Sequence, residues 1–326
     1  MPGVGTRLTG AFDLQAHRGA VGLTVENTLA AFGRALDVGV STLEFDVHIS
    51  ADGIAMVTHD RRVAEERNRD TGPAFPDDPE YPYVGKLVRH LTVTQLRTLD
   101  VGSVRHDGHP CQQLDPGARI PTLTEVFALL DERGADGVRV NLETKFEVVA
   151  PAETEPRERF VEVVCTTLKE AGMLERASVQ SFDWGMLRLI REREPDIRLN
   201  ALTSGHYLEV GQPGGSPWMD GLDIDHFDGD LVAAASSRGF DAVSPIHGSP
   251  FTSGVDDPSY RSFVTPEMVE QAHAAGMRVL PYTVDDPATM RSLLRLGVDG
   301  LITNYPDRLR DVLGAAGLPL PSAHPI

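Results

Sequence analysis

Between positions 17 and 60 the chain carries His17-Arg18-Gly19, Glu26-Asn27-Thr28, Glu44-Phe45-Asp46 and His59-Asp60, and a second group follows at Asn141-Leu142-Glu143-Thr144-Lys145. Histidines, carboxylates and cations in that mixture suit cleavage of a phosphate ester with the help of a metal ion. Along a strand alternate side chains share a face, so Glu44 and Asp46 point together, as do Asn141, Glu143 and Lys145. Glu44, Asp46 and Glu143 are then an oxygen-rich ligand set for one hard divalent cation, Mg²⁺ or Ca²⁺. No thiolate cluster or repeated histidine pair suggests zinc. Histidine has an unperturbed pKa near neutral pH, so next to a metal site one histidine can serve as base and another as acid, and His17 and His59 flank this stretch. Arg18 can grip phosphate oxygens bidentately, and Lys145 adds a point charge. A Glu-x-Asp pair taken alone is more often an exposed pair on an edge strand. Here Leu43, Phe45 and Val47 demand burial on the opposite face, which argues for a built site. His48 shares the Glu44/Asp46 face but lies nearer the following turn, and is read as a solvated strand residue.

The elements that must position these groups alternate. Strand patterns fall at 13–17, 42–49, 138–143, 178–182, 198–202, 242–246, 278–283 and 300–303, with helical patterns such as 27–39, 160–172, 184–193, 266–276 and 288–297 between them. Glycines at 39, 172, 276 and 297 suit helix ends. This order predicts a parallel α/β fold of eight strands, and in a parallel barrel the strand C-termini converge on one rim. Residues 54–59 stand outside the count: Ala51-Asp52-Gly53 is too short for a parallel crossover, so they return as a β-hairpin. A two-residue Asp-Gly loop pairs Ala51 with Ile54 and sets His59 opposite Asp46. Residues 61–121 are rich in Pro, Asp and Arg and break the rhythm. They read as an insertion over the mouth within a single catalytic domain spanning 1–326.

At 326 residues, 41% hydrophobic and 24% charged, the chain is globular in composition, and length alone does not separate one large domain from two. A net charge of −18 argues against a nucleic-acid partner. The two cysteines, Cys111 and Cys165, are far apart and suit reduced thiols. Residues 1–12 lack the apolar core of a signal peptide and no stretch reads as a transmembrane segment, so the expected location is cytoplasmic. The acidic run from Asp223 to Asp230 imitates a calcium loop, but Phe227 occupies a ligand position, and a solvated loop is the better reading.

The ordered set His17-Arg18-Gly19, Glu26-Asn27-Thr28, Glu44-x-Asp46-Val47, Asp52-Gly53, His59-Asp60, Ile120-Pro121-Thr122-Leu123, Asn141-x-Glu143-x-Lys145, Gln180-Ser181-Phe182-Asp183 and Asp299-Gly300-Leu301-Ile302-Thr303 resembles the glycerophosphodiester phosphodiesterase family. The resemblance implies a TIM (β/α)8 barrel with an insertion after its second strand, and one divalent cation on Glu44, Asp46 and Glu143. It also implies His17 and His59 as the acid and base, and hydrolysis of a glycerophosphodiester to sn-glycerol 3-phosphate and an alcohol. Glu26 matches the loop beside the metal, while Asn27 is read as a helix N-cap. Two departures stand out: Tyr282 takes the place of a usual tryptophan before Thr-Val, and Thr303-Asn304-Tyr305-Pro306 replaces Thr-Asp-x-Pro. Both are read as touching neither metal nor histidines, with Tyr282 assigned to the substrate pocket. The attacker is water or the substrate's own 2-hydroxyl. A lysophospholipase D-like activity on lyso-lipids is the nearest alternative, and a barrel that binds glycerol phosphates without turnover is a remoter one.

Overall fold

Polar and apolar side chains alternate along the strands of the computed structural model, which describes residues 10–326, and the two sets face opposite ways. The strands are β1 (Asp13–Ala16), β2 (Thr42–Ile49), β3 (Ala55–Val57), β4 (Arg139–Thr144), β5 (Ala177–Ser181), β6 (Arg198–Thr203), β7 (Ala242–Pro245), β8 (Gly248–Ser249), β9 (Arg261–Ser262), β10 (Arg278–Val279) and β11 (Gly300–Thr303). Eight of them form one parallel sheet in the order β10-β7-β6-β5-β4-β2-β1-β11. Single backbone bonds join its two ends: Asp299 N donates to Val279 O at 3.0 Å, Ile302 N to Pro281 O at 3.0 Å, and Val284 N to Ile302 O at 2.9 Å. The result is a nearly closed TIM barrel. Pro281 has no N–H to offer, which accounts for a strand shorter than the predicted 278–283.

The apolar face points outward under the helices. Leu14, Leu43, Phe45, Val140, Leu142, Val179 and Leu199 join the main core with Phe32 and Leu36 of the helix Leu29–Val38. Phe32 meets Phe45 edge-on at 5.5 Å between ring centroids. That helix is capped by Thr28, whose side chain accepts from Ala31 N, and not by Asn27 as expected. It stops at Gly39, and the helix Pro287–Leu296 stops at Gly297, both glycines at positive φ. In the acidic run, Asp223 and Asp230 each cap a helical turn, as a solvated capping loop would.

The polar face points into the barrel and forms a stack of hydrogen bonds. At the base Asp13 accepts from Thr42 Oγ1 at 2.7 Å and lies 3.0 Å from both Arg139 and Arg278. Above it Asn141 Nδ2 donates to Gln15 Oε1 at 2.9 Å and to Gln180 Oε1 at 2.8 Å, and Asn200 Nδ2 donates to Asn141 Oδ1 at 3.0 Å. Buried amides tolerate such a place only when paired, and these pair with one another. Gln180 then donates to Glu44 Oε1 at 2.6 Å, joining the stack to the rim.

The hairpin is one residue out of the expected register. Val47 pairs with Val57, His48 with Met56 and Ile49 with Ala55, so Thr58, not His59, answers Asp46 through a 3.1 Å bond from Thr58 N to Asp46 O. The turn is a three-residue loop, Ala51–Asp52–Gly53, closed by Gly53 N to Ser50 O at 2.9 Å with Gly53 at φ +78°. The inserted segment follows. It holds a second hydrophobic cluster of Val63, Tyr83, Val88, Leu91, Leu96 and Leu99 with Met56 beneath it. Gln112 ties it back to the first barrel loop, donating to Val21 O at 2.7 Å. No helix among the described residues is long and apolar enough to cross a membrane. The reading of 1–12 falls mostly on residues 1–9, outside the described residues.

Candidate active site

The parallel register sets Asp46 of β2 beside Glu143 of β4, and Glu44 beside Asn141. One oxygen from each of Glu44, Asp46 and Glu143 lies within 4.8 Å of the others, and all three residues are buried. Such crowding leaves its mark on Glu44: burial, then the charges of Asp46 and Glu143, push its carboxyl well above the usual range. Asp46 is equally buried, yet Arg18, His59 and Lys145 outweigh that burial and hold it below the ordinary value. Asp46 Oδ1 is a buried acceptor without a hydrogen bond, with Lys145 Nζ 3.7 Å away. An orphaned oxygen among three crowded carboxylates fits a hard cation, and the donors are all oxygen. Glu44, Asp46 and Glu143 are therefore a group that can hold a metal ion.

Cations and histidines surround this group. Lys145 Nζ donates to Glu143 Oε1 at 2.7 Å. Arg18 Nη1 donates to Glu26 Oε2 at 2.8 Å, while its Nε lies 3.1 Å from Asp46 Oδ2, a charge contact outside hydrogen-bond geometry. The Arg18 backbone N–H also donates to Glu44 Oε2 at 3.0 Å. That contact requires Arg18, Gly19 and Ala20 to take positive φ of 50°, 75° and 76°. A Cβ on Gly19 would meet Phe32 Cδ1 at 2.7 Å and Phe32 N at 2.9 Å, so the glycine is required twice over.

His17 stands at the C-terminal end of β1 with Nε2 4.0 Å from Glu44 Oε2 and Nδ1 2.5 Å from Asn304 Oδ1. Burial and then the neighbouring Arg18 charge push its pKa down to about 3, favouring the neutral ring. His59, just past β3, has Nδ1 2.7 Å from Asp60 Oδ1. Burial and then Arg18 lower its pKa too, against the pull of Asp46 and Asp60.

Several residues differ from their expected places. Asn27 is buried at φ +54°, and its Nδ2 donates to Asp46 Oδ2 at 2.9 Å, so it orients a carboxylate of the acidic group. His48 is not solvated; it is 4% exposed under the returning hairpin, with Nε2 3.2 Å from His59 O. Asn304, read as remote, touches His17 directly. The Tyr282 hydroxyl donates to Thr203 O at 3.0 Å, so it has no free proton for a phosphate and offers a ring and an acceptor lone pair instead. Glu26 is held by Arg18, by Arg67 Nη1 at 2.8 Å and by His106 Nδ1 at 3.3 Å. Arg67 and His106 come from the insertion and belong to no motif. The only hint of them was the abundance of arginine in that segment.

Two cavities lie beside the residues that surround the acidic group, and Glu143 lines the second of them. One of about 400 Å³ is bordered by His17, Arg18, Glu26, Arg67, His106 and Asn304. The other, about 340 Å³, is bordered by His59, Glu143 and Lys145 and by the rings of Phe182, Tyr207 and Trp218. Those rings pack together, with Phe182 5.0 Å and Trp218 4.5 Å from Tyr207 between centroids.

A parallel barrel with a buried carboxylate triad, two histidines and two cations at its C-terminal rim is built as a hydrolase of charged esters. The model of the glycerophosphoryl diester phosphodiesterase family matches residues 17–308, and the chain belongs to that family. It is 28% identical over 302 residues to a glycerophosphodiester phosphodiesterase of Caldanaerobacter subterraneus subsp. tengcongensis, covering 93% of this chain and 98% of that one. A solved structure from Silicibacter pomeroyi, assigned to the glycerophosphoryl diester phosphodiesterases, superposes with a TM-score of 0.75 at 30% identity, covering 98% of this chain and 96% of the other. An Oleispira antarctica phosphodiesterase, solved with the product sn-glycerol-3-phosphate, shares the fold with a TM-score of 0.64 at 22% identity, covering 92% and 96%.

Proposed function

We propose that this chain hydrolyses glycerophosphodiesters to sn-glycerol 3-phosphate and an alcohol, with His17 and His59 as the acid and base. The observation that carries the reading is the triad Glu44, Asp46 and Glu143 within 4.8 Å, with His17 Nε2 4.0 Å from Glu44 and His59 lining a cavity with Glu143. The family membership supports the same reaction. Glu44, Asp46 and Glu143 would hold one Mg²⁺ or Ca²⁺, which when bound supplies positive charge to a non-bridging phosphate oxygen. Arg18 and Lys145 each line a different cavity and each lie beside Asp46, adding charge where negative charge grows at phosphorus. One histidine takes the proton of the attacking hydroxyl and the other returns one to the leaving alkoxide. Glu26 keeps the Arg18 guanidinium aimed. The aromatic cavity beside Lys145 suits one half of the diester, with the Tyr282 ring behind Phe182 at 5.8 Å. Residues 61–121 act as part of the same catalytic unit through Arg67 and His106, and two free thiols, Cys111 and Cys165, suit the cytoplasm.

The test is release of glycerol 3-phosphate from glycerophosphocholine and glycerophosphoethanolamine, run with chelator and then with Mg²⁺ or Ca²⁺ restored. Release that disappears with chelator and returns with metal is the expected result. No release from these diesters, with lyso-lipids instead cleaved to lysophosphatidic acid and the headgroup alcohol, would move the activity to the lysophospholipase D type, and release unaffected by chelator would remove the metal from the reading.

A further inference from the structure

His17 does not rest on a carboxylate. Its Nδ1 lies 2.5 Å from Asn304 Oδ1, whereas His59 Nδ1 faces the carboxylate of Asp60 at 2.7 Å. Which way round the Asn304 amide sits is settled by what lies behind it. Asn304 Nδ2 lies 2.7 Å from Asp285 Oδ2, and an ionised carboxylate only accepts, so the NH₂ must face Asp285 and the oxygen must face His17. Asp285 is itself fixed, its Oδ1 accepting from Asn304 N at 2.9 Å and from Thr303 Oγ1 at 3.2 Å. An amide oxygen can only accept, so the hydrogen between it and the imidazole is carried by Nδ1.

We propose that Asn304 and Asp285 are a positioning pair that locks His17 as the Nδ1–H tautomer and leaves a bare Nε2 directed at the acidic group, 4.0 Å from Glu44 Oε2. The inference rests on the acid–base role of His17 proposed above. The pair divides two tasks that a single aspartate would combine. Asn304 sets the tautomer with a neutral atom, and the negative charge is kept one residue further away, on Asp285. The arrangement gives the departure from Thr-Asp-x-Pro a physical meaning: an aspartate at 304 would face the Asp285 carboxylate with no proton between them. The two histidines are thereby made unequal, one backed by a neutral amide and the other by a carboxylate.

The tautomer can be read without substrate. In the full chain labelled with ¹⁵N-histidine, with and without Mg²⁺, long-range ¹H–¹⁵N correlations of neutral His17 are expected to show a protonated Nδ1 and a bare Nε2. The His17→Ala protein supplies the assignment. The opposite tautomer in the wild type would overturn the proposal, whether or not any diester is hydrolysed. Asn304→Ala should give mixed tautomers and lower kcat about 100-fold with KM little changed, as for a misaimed proton-transfer group. An unchanged His17 spectrum in that variant would show that Asn304 does not set the tautomer. The exchange variant Asn304→Asp with Asp285→Asn restores an acceptor facing His17 and a donor behind it. It should recover a single Nδ1–H tautomer and much of the lost kcat, whereas Asn304→Asp alone should not. Equal behaviour of the two would refute the role of Asp285.

Discussion

At the residue scale the site is a balance between crowded negative charge and the groups that offset it. His17 and His59 each have a side-chain partner on Nδ1, Asn304 for the first and Asp60 for the second. Replacing either with alanine should lower kcat by about 100- to 10,000-fold, the usual worth of a positioned acid or base, in protein whose circular dichroism is unchanged. Asn27 acts differently. Its amide holds Asp46 Oδ2 at 2.9 Å while its backbone sits at φ +54°. Asn27→Gly and Asn27→Ala should both weaken Mg²⁺ binding by about 10- to 100-fold in calorimetry, since both lose the donor that orients a ligand. Only the alanine should also lower the melting stability, by about 1–2 kcal/mol, because only it keeps a Cβ in the left-handed region. Equal melting of the two variants would dissociate the backbone conformation from the cost.

At the scale of elements, the positions of the site residues follow from a few turns. Gly19 and Gly53 both have positive φ, at 75° and 78°, but their surroundings differ. A Cβ on Gly53 would approach only Arg159 Nη2, at 2.8 Å, and a long side chain can move away. On Gly19 it would meet the backbone and ring of Phe32, which the core holds in place. Gly53→Ala should therefore cost about 1–2 kcal/mol in chemical denaturation, the backbone penalty alone. Gly19→Ala should cost more and should also depress kcat, because the turn that yields aims the Arg18 N–H at Glu44. A Gly19→Ala protein as stable and as active as Gly53→Ala would contradict this account of the turn.

For the whole molecule the relevant feature is the polar column inside the barrel. Its base is Asp13, set among Thr42, Arg139 and Arg278 and so linking β1, β2, β4 and β10. Burial opposes its charge, but Arg139 and Arg278 more than offset that and lower its pKa. A carboxyl whose folded pKa lies below its unfolded one stabilises fully above the unfolded value. It loses that contribution as pH falls through the folded value. The Tm difference between wild type and Asp13→Asn should thus be constant near neutrality and narrow as pH drops below about 4. A difference that widens in acid would mean that Asp13 is not held ionised by its arginines.

Much of this was already legible in the residues. Strand patterns alternating with helical patterns determined a parallel α/β fold of eight strands, and the family resemblance implied its closure into a barrel. The same alternation put Glu44 with Asp46 and Asn141 with Glu143 before any strand was paired. Strand register and contacts between distant segments were decided only in three dimensions. A single glycine conformation at Gly53 moved the hairpin by one residue and set Thr58 in the place foreseen for His59. His48 looked solvated because a foreseen hairpin does not say which side chains the chain beyond it will cover, and here His59 O closes over the ring at 3.2 Å from Nε2. Arg67, His106 and Asn304 lie 41, 80 and 287 positions from the partners they meet, counting Glu26 for the first two and His17 for the last. Local propensity carries no information over such separations. Only the closing of the barrel, which brings the end of β11 beside the end of β1, sets Asn304 against His17.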